Sequence, residues 1–293
     1  MSDGIGIIGI GNMGGAMALR LLELGHPVFV RDVDAAREAV AQQHGATPCP
    51  SPADLARRCS VVIVAVVDAA QTDAVLFGGD GAAAALGAGS CVVLCPTIAP
   101  DCTEAVAARL AGQGIECIDA PMSGGPVRAR AGSMSLMVAC ADAVFERHRP
   151  LLEALSSQVF RVGDKPGDGA RTKLVNNLLA AINLAGAAEA LALAERIGLD
   201  PGRTLDVIER SSGQSWIGSD RLRRAIAGDL APRAHTTLLA KDARLALAMA
   251  AAHGVVPPLG AEAGAAFARA CAAGYGDRDD ASLLVWCAAQ ICS

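Results

Sequence analysis

Through the first half of the chain, short apolar runs alternate with stretches of helical period, and after residue 162 the alternation stops. Residues 5–8, 28–31, 61–67, 91–94, 116–118, 134–138 and 159–162 read as strands, short and mostly apolar runs. Between them, residues 13–24, 34–44, 70–77, 100–110 and 142–155 carry helical spacing, and Ser51-Pro52 opens a further short helix. Strand and helix in alternation predict a mostly parallel sheet covered on both faces, with ligands taken at the carboxyl ends of the strands. From Asp168 onward only helices are expected: a long one to about residue 197, then 201–210, 219–227, 238–253, 261–273 and 279–291. Gly198, Gly228, Gly254 and Gly274 stand where helix-closing glycines belong. The predicted organisation is therefore an α/β Rossmann-type domain over residues 1–163 and an all-α domain over residues 164–293, entered by a long interdomain helix. The cleft between two such halves is the expected active site.

Composition narrows the function. The chain has 293 residues, 52% hydrophobic but only 3% aromatic, so its interior is built from small aliphatic side chains. A net charge of -5 offers no basic field for phosphate backbones, which argues against nucleic acid. Met1-Ser2-Asp3-Gly4 leads straight into an apolar strand without the basic start of an export signal. Residues 178–194 approach membrane length, but Asn183, Gly186 and Glu189 interrupt them and favour a buried helix. Ten cysteines (49, 59, 91, 95, 102, 117, 140, 271, 287 and 292) lie in apolar segments with no CxxC pair, the pattern of reduced thiols in a cytoplasmic protein. Five scattered histidines suggest no metal site.

The chemistry-bearing stretches sit at strand ends. Gly9-Ile10-Gly11-Asn12-Met13-Gly14 follows a strand and opens a helix, the context in which a GxGxxG loop holds a dinucleotide pyrophosphate. Asp32 ends the second strand about twenty residues on, where a carboxylate accepts from the adenosine ribose. Val33 follows it in place of an arginine, which favours NAD, while Arg31 beside it keeps NADP as the lesser option. Asp119-Ala120-Pro121-Met122-Ser123-Gly124-Gly125-Pro126 reads as a polar loop whose N–H groups and Ser123 hydroxyl suit a carboxylate, and equally as a plain turn. Cys95-Pro96-Thr97-Ile98-Ala99-Pro100 either offers Thr97 to the cofactor or merely precedes a proline-started helix. Gly163–Asn177 is a glycine-punctuated loop running into an apolar helix that carries Lys173 and Asn177 one turn apart, on one face. Lys241-Asp242 opens another apolar-striped helix, where the charges serve a site or simply a solvated end.

Taken together, these stretches resemble the β-hydroxyacid dehydrogenase family, which includes 3-hydroxyisobutyrate, tartronate semialdehyde and threonate enzymes. The glycine loop, Asp-Ala-Pro-x-Ser-Gly-Gly, Gly-x-Gly-x-x-x-Lys-x-x-x-Asn and Lys-Asp-x-x-Leu-Ala occur in the family's order, so the resemblance runs nearly the whole chain. It implies that Lys173 is the catalytic lysine, Asn177 its substrate-orienting companion, and Ser123, Gly124 and Gly125 the carboxylate anchor, with Asp242 beside the substrate. Gly9, Gly11, Asn12, Met13, Gly14, Asp32, Val67, Thr97 and Lys241 would contact the cofactor. Residues 68–78, Ser215-Trp216, 228–233 and 274–281 look most like the threonate branch. Val66-Val67 replaces a common Leu-Pro, and Ala234-His235 stands where some members carry an aromatic.

The reaction implied is reversible oxidation of a small hydroxy acid by hydride transfer to nicotinamide, with Lys173 exchanging the hydroxyl proton. A free lysine titrates near 10.4, so a base role needs apolar neighbours and a nearby positive charge. Alternatives are an imine reductase on the same plan, against which Lys173 speaks, and a non-catalytic NAD-binding protein. The greater length of 6-phosphogluconate dehydrogenases excludes that enzyme. The small-residue face containing Ala180, Gly186 and Ala187 suggests a homodimer or homotetramer.

Overall fold

A computed structural model describes residues 4–291; the predicted lead-in Met1–Asp3 and Cys292 lie outside the described residues. The chain divides into two compact units, Met1–Lys173 and Leu174–Ser293.

The first unit is built on a nine-stranded sheet. Its strands are β1 (Gly4–Ile8), β2 (Val28–Arg31), β3 (Thr47–Pro48), β4 (Cys59–Val64), β5 (Cys91–Leu94), β6 (Glu116–Asp119), β7 (Met122–Ser123), β8 (Ser135–Ala139) and β9 (Gln158–Gly163). They lie in the order β3-β2-β1-β4-β5-β6-β8-β7, with β9 also paired to β8. The run β3 to β6 is parallel throughout, the doubly wound arrangement of dinucleotide-binding sheets. β8 is antiparallel to β6 and β7.

Side chains alternate across a strand, so a parallel strand covered by helices on both faces must be apolar at nearly every position. Ile5, Ile7, Val61, Ile63, Cys91 and Val93 feed one core with Met17 and Leu21 of α1 (Asn12–Glu23); Leu152 joins them from α7 (Asp142–Leu155). The alternate residues Ile8, Val62, Val64, Val92 and Leu94 feed the other. There they meet Leu55 of α3 (Pro52–Ala56), Leu76 of α4 (Ala69–Phe77) and Leu110 of α5 (Pro100–Ala111). The remaining helices here are α2 (Ala35–Gln43) and α6 (Gly125–Arg130).

Three expectations need correction. The strand expected over 61–67 runs Cys59–Val64: the apolar run outlasts the ladder, and the Val67 N–H instead donates to Gln71 Oε1 at 2.9 Å. The stretch 119–126 is not a single loop, because Met122-Ser123 pairs with β8 and α6 begins at Gly125. Thr47-Pro48 adds an edge strand that was not expected.

α8 (Asp168–Arg196) is the predicted long helix. It is followed by α9 (Pro201–Ile208), α10 (Trp216–Ile226), α11 (Thr236–Ala252), α12 (Pro258–Ala270) and α13 (Leu283–Ile291). Ala181, Leu184, Ala188 and Leu191 of α8 pack with Leu205, Leu222, Leu239, Phe267 and Leu283 in the core of the second unit. Gly198, Gly228 and Gly254 close α8, α10 and α11 with positive φ, while Gly274 bends the chain beyond α12. By length and composition α8 would suffice to cross a membrane, but it carries Asn176, Asn177, Asn183 and Glu189 and packs one face into this core.

Candidate active site

β1 ends at Ile8, and the chain turns through Gly9 at φ 88° into α1. A Cβ on Gly14 would lie 1.9 Å from the Gly9 carbonyl oxygen, so turn and helix can meet this closely only without a side chain there. Gly11 is the N-cap of α1 and supplies no side-chain acceptor, leaving the first-turn N–H groups and the helix dipole directed at whatever sits on the loop. The cradle fits a pyrophosphate.

Asp32, at the end of β2, is buried, and its carboxylate closes the loop from the side: Oδ2 accepts from Ile10 N at 2.7 Å and Oδ1 from Asp34 N at 2.9 Å. Arg31 turns to Glu38, at 2.9 Å, and to the carbonyl of Asp32. The cation beside the glycine loop is instead Arg37, whose Nη1 lies 3.9 Å from Asp32 Oδ2 and 3.3 Å from where a Gly11 Cβ would be. Nothing in the motif spacing pointed to Arg37; it comes round because Asp34 caps α2 and puts Arg37 in its first turn.

Thr97 is half-buried in the loop after β5, and Val67 is exposed after β4. Ser123 pairs with Ser135 through β7, Gly124 caps α6, and Gly125 is its first residue. Asp119, one strand-end away, is buried. Its Oδ2 accepts from Gly167 N at 2.8 Å and Ala170 N at 3.0 Å, and the carboxylate also accepts from the Gly169 N–H. Burial pushes it up to about 6, held back by those three backbone donors.

On α8, Lys173 is 7% exposed and Asn177 8%, one turn apart on the same face. Within the second unit Asn177 belongs to a chain of polar contacts: Asn176 Nδ2 donates to Asn177 Oδ1 at 3.0 Å and Asn177 Nδ2 donates to Asp242 Oδ2 at 2.6 Å. Lys241 Nζ lies 2.9 Å from Asp242 Oδ1. Thus Asn177, Asp242 and Lys241 come together, as do the glycine loop and Asp32. His235 is occupied elsewhere: its Nδ1 meets the Asp277 carbonyl at 2.8 Å, and it precedes the first residue of α11. Ser215, from the Ser-Trp pair, caps α10. Among the described residues, no group of three His, Cys, Asp or Glu is placed to hold a metal ion.

Residues 4–163 match the family described as the NAD binding domain of 6-phosphogluconate dehydrogenase, and residues 167–287 the family described as NAD-binding of NADP-dependent 3-hydroxyisobutyrate dehydrogenase. The first covers only the nucleotide-binding half. Over 288 residues the chain is 41% identical to the L-threonate dehydrogenase of Cupriavidus necator, covering 97% of this chain and 96% of that protein. Among solved structures, 3-hydroxyisobutyrate dehydrogenase from Salmonella typhimurium superimposes with a TM-score of 0.90 at 35% identity, covering 96% of this chain and 99% of that one. Psf3, solved in complex with NADP+ and 2-OPP, does so with a TM-score of 0.89 at 30% identity and the same coverage. An imine reductase from Myxococcus stipitatus, at 21% identity and a TM-score of 0.68 over 96% of this chain and 98% of that one, shares the fold alone.

Proposed function

Because the chain belongs to the 3-hydroxyisobutyrate dehydrogenase-like family of NAD(P)-dependent hydroxyacid dehydrogenases, we propose that it interconverts a small hydroxy acid and its carbonyl form with Lys173 as the proton-transferring group. The observation that carries this reading is the burial of Lys173 one turn before Asn177. Removal from bulk water disfavours an ammonium over a neutral amine, and the neutral amine is the form that can accept the substrate's proton near neutral pH.

The nicotinamide supplies hydride acceptance in one direction and donation in the other. Lys173 takes the hydroxyl proton during oxidation and returns it during reduction. Asn177 orients the hydroxyl: an amide nitrogen carries two hydrogens, and the one given to Asp242 leaves the second for the substrate. Asp242, tied in turn to Lys241, sets which way that amide faces. Ser123, Gly124 and Gly125 hold the carboxylate, so that the reacting carbon is presented in one orientation. Gly9, Gly11, Asn12, Met13, Gly14, Asp32, Val67 and Thr97 form the nucleotide site, and Lys241 joins them on the family resemblance.

We assign NAD as the preferred cofactor. A buried Asp32 carboxylate repels a 2'-phosphate, Arg31 is committed to Glu38, and Arg37, the cation nearest that carboxylate, is shared between Asp32 and Asp34. For the substrate we favour a polyhydroxylated acid of the threonate type, supported by the 41% identity to the Cupriavidus necator enzyme. We put the domain boundary between residues 163 and 164, a reading supported by the limits of the two family matches, whereas packing divides the chain within α8, after Lys173. Nine free cysteines among the described residues support a reducing, cytoplasmic setting. The exposed side chains Val175, Leu179 and Leu193 along α8, with Gly186 among them, and Ile197 just beyond its end support self-association.

The test is NAD reduction with threonate, erythronate, 3-hydroxyisobutyrate, glycerate and serine, run on the wild type and Lys173→Ala. Turnover of threonate, lost by about three orders of magnitude in the variant with nucleotide affinity kept, supports the reading. Equal turnover by both proteins refutes the role of Lys173, and activity on imines alone refutes the reaction class.

A further inference from the structure

Two motifs that looked independent in the sequence are in contact in the structure. Asp119 closes β6, and the glycine-punctuated segment opens α8, 48 residues later by the Gly167 contact. A helix begins with orphan N–H groups, ordinarily capped by an oxygen on the N-cap side chain. The residue before α8 is Gly167, which has none. The acceptor arrives instead from the sheet: Asp119 Oδ2 takes Gly167 N at 2.8 Å and Ala170 N at 3.0 Å, and the carboxylate takes Gly169 N as well. A negative charge is thereby seated at the positive end of the helix dipole.

The approach is close. A Cβ on Gly169 would lie 2.7 Å from the Met137 carbonyl oxygen and 2.9 Å from Asp119 Cγ, so the helix backbone rests directly on the end of β6 and the middle of the adjacent β8. Counted along α8, Lys173 follows Gly169 by four residues and Ala170 by three. At about 3.6 residues per turn the anchored amides therefore lie one turn below Lys173 on its own face.

On this geometry we propose that Asp119 is a positioning residue for the reaction: it sets the height and rotation of the first turn of α8, and through that turn the place of the Lys173 ammonium. The inference rests on Lys173 being the proton-transferring group. The groups around the carboxylate are the Cys95 thiol beyond β5, Cys117 on β6, Cys140 beyond β8, and Asp168 on α8. Burial keeps the three thiols neutral, raising Cys95 to about 12 and Cys140 to about 11, so Asp168 is the ionic neighbour. Arg171 meets Asp168 at 3.1 Å and also pairs with Glu104, which holds that charge to one side. Protonation of Asp119 replaces one acceptor by a donor and loosens the cap.

The experiment compares the pH profile of kcat for wild type and Asp119→Asn, together with the backbone amide resonances of Gly167, Gly169 and Ala170 in the NAD-bound wild type. Misplacement of a reacting group by about an ångström costs on the order of a hundredfold, so Asp119→Asn is expected to lower kcat by about ten- to a hundredfold while nucleotide affinity stays within about twofold. The wild-type acid limb is expected near pH 6 and to be absent from the variant, with the three amides titrating together at that midpoint. Unchanged kcat and an unchanged acid limb in the variant, or amides that do not respond between about pH 5 and pH 7, overturn the proposal. The amide titration needs no variant to fold and does not depend on Lys173, so its failure is distinct from retained turnover in Lys173→Ala.

Discussion

In the sheet-bearing unit, Asp32 and Asp119 accept chiefly from backbone N–H groups: Ile10 and Asp34 for the first, Gly167, Gly169 and Ala170 for the second. In the helical unit, each buried carboxylate is met by at least one side chain from another helix. Asp242 takes Asn177 and Lys241, Asp280 takes Arg221 at 2.6 Å, and Asp279 takes Arg224 at 2.9 Å besides the N–H groups of Arg233, Ala234 and Ala281. The difference follows from the architecture. The loops and helix starts that gather at the strand ends leave unpaired amides that a carboxylate can collect, whereas helix interiors have spent theirs, so a buried charge between helices needs a charged or amide partner.

The two solutions differ in what happens when the carboxylate is removed. Asp279→Ala takes from the Arg224 guanidinium, only 10% exposed, its nearer and fully buried counter-charge, leaving Asp229 at 3.6 Å, and leaves three backbone donors without that acceptor. Breaking one side of a buried ion pair costs about 3–5 kcal/mol. Urea denaturation of the full chain should register a loss of that size, the largest expected here; a loss below about 1 kcal/mol would mean that water reaches Arg224 and that the contrast between the units is not real.

The same contrast explains what could be read in advance. Backbone solutions leave traces in the sequence, since they demand glycine where the chain approaches itself. The Gly9–Gly14 loop, the Asp32 strand end and the glycines before Lys173 were all visible for that reason. Side-chain solutions leave few: Asn177 and Asp242 lie 65 positions apart, and Arg221 and Asp280 lie 59. Arg37 was missed because its place depends on the Asp34 cap turning α2 toward the loop. Two-residue strands such as Thr47-Pro48 and Met122-Ser123 are too short to show period-two alternation, and the Gly124-Gly125-Pro126 start of α6 has the composition of a turn. The link from Asp119 to α8 fell between two motifs that were both recognised.

A second test uses pH. Burial pushes Asp119 up to about 6 and Asp280 up to about 7, the latter even with Arg221 beside it. Each binds its proton more tightly in the folded chain than in the unfolded one, so the folded state holds the extra proton between about pH 4 and pH 7, and the stability this confers is lost as pH rises across that window. The expected loss is on the order of 1–3 kcal/mol. Asp280→Asn does not titrate, so its stability deficit against wild type should shrink from about pH 5 to pH 7.5; a deficit that stays flat over that range would show that Arg221 holds Asp280 ionised throughout.

The smallest effect is expected at Asp32, and it should appear in specificity before stability. Its partners are two amides at the rim of the glycine loop, where Arg37 is half-exposed and water can replace a lost acceptor, so Asp32→Ala should cost about 1–2 kcal/mol, well under Asp279→Ala. What the substitution removes is a charge close to the adenosine end of the nucleotide, while Arg37 loses only the farther of its two carboxylate competitors for a phosphate, at 3.9 Å, since Asp34 remains 3.4 Å from its Nε. The ratio of kcat/KM for NAD over NADP should therefore fall by about tenfold rather than invert, a change of about 1.4 kcal/mol at the cofactor. Full inversion would make Arg37 a phosphate site already in place in the wild type. A ratio that does not move would mean the Asp32 carboxylate serves only to tie Ile10 and Asp34, and that cofactor choice lies elsewhere on the loop.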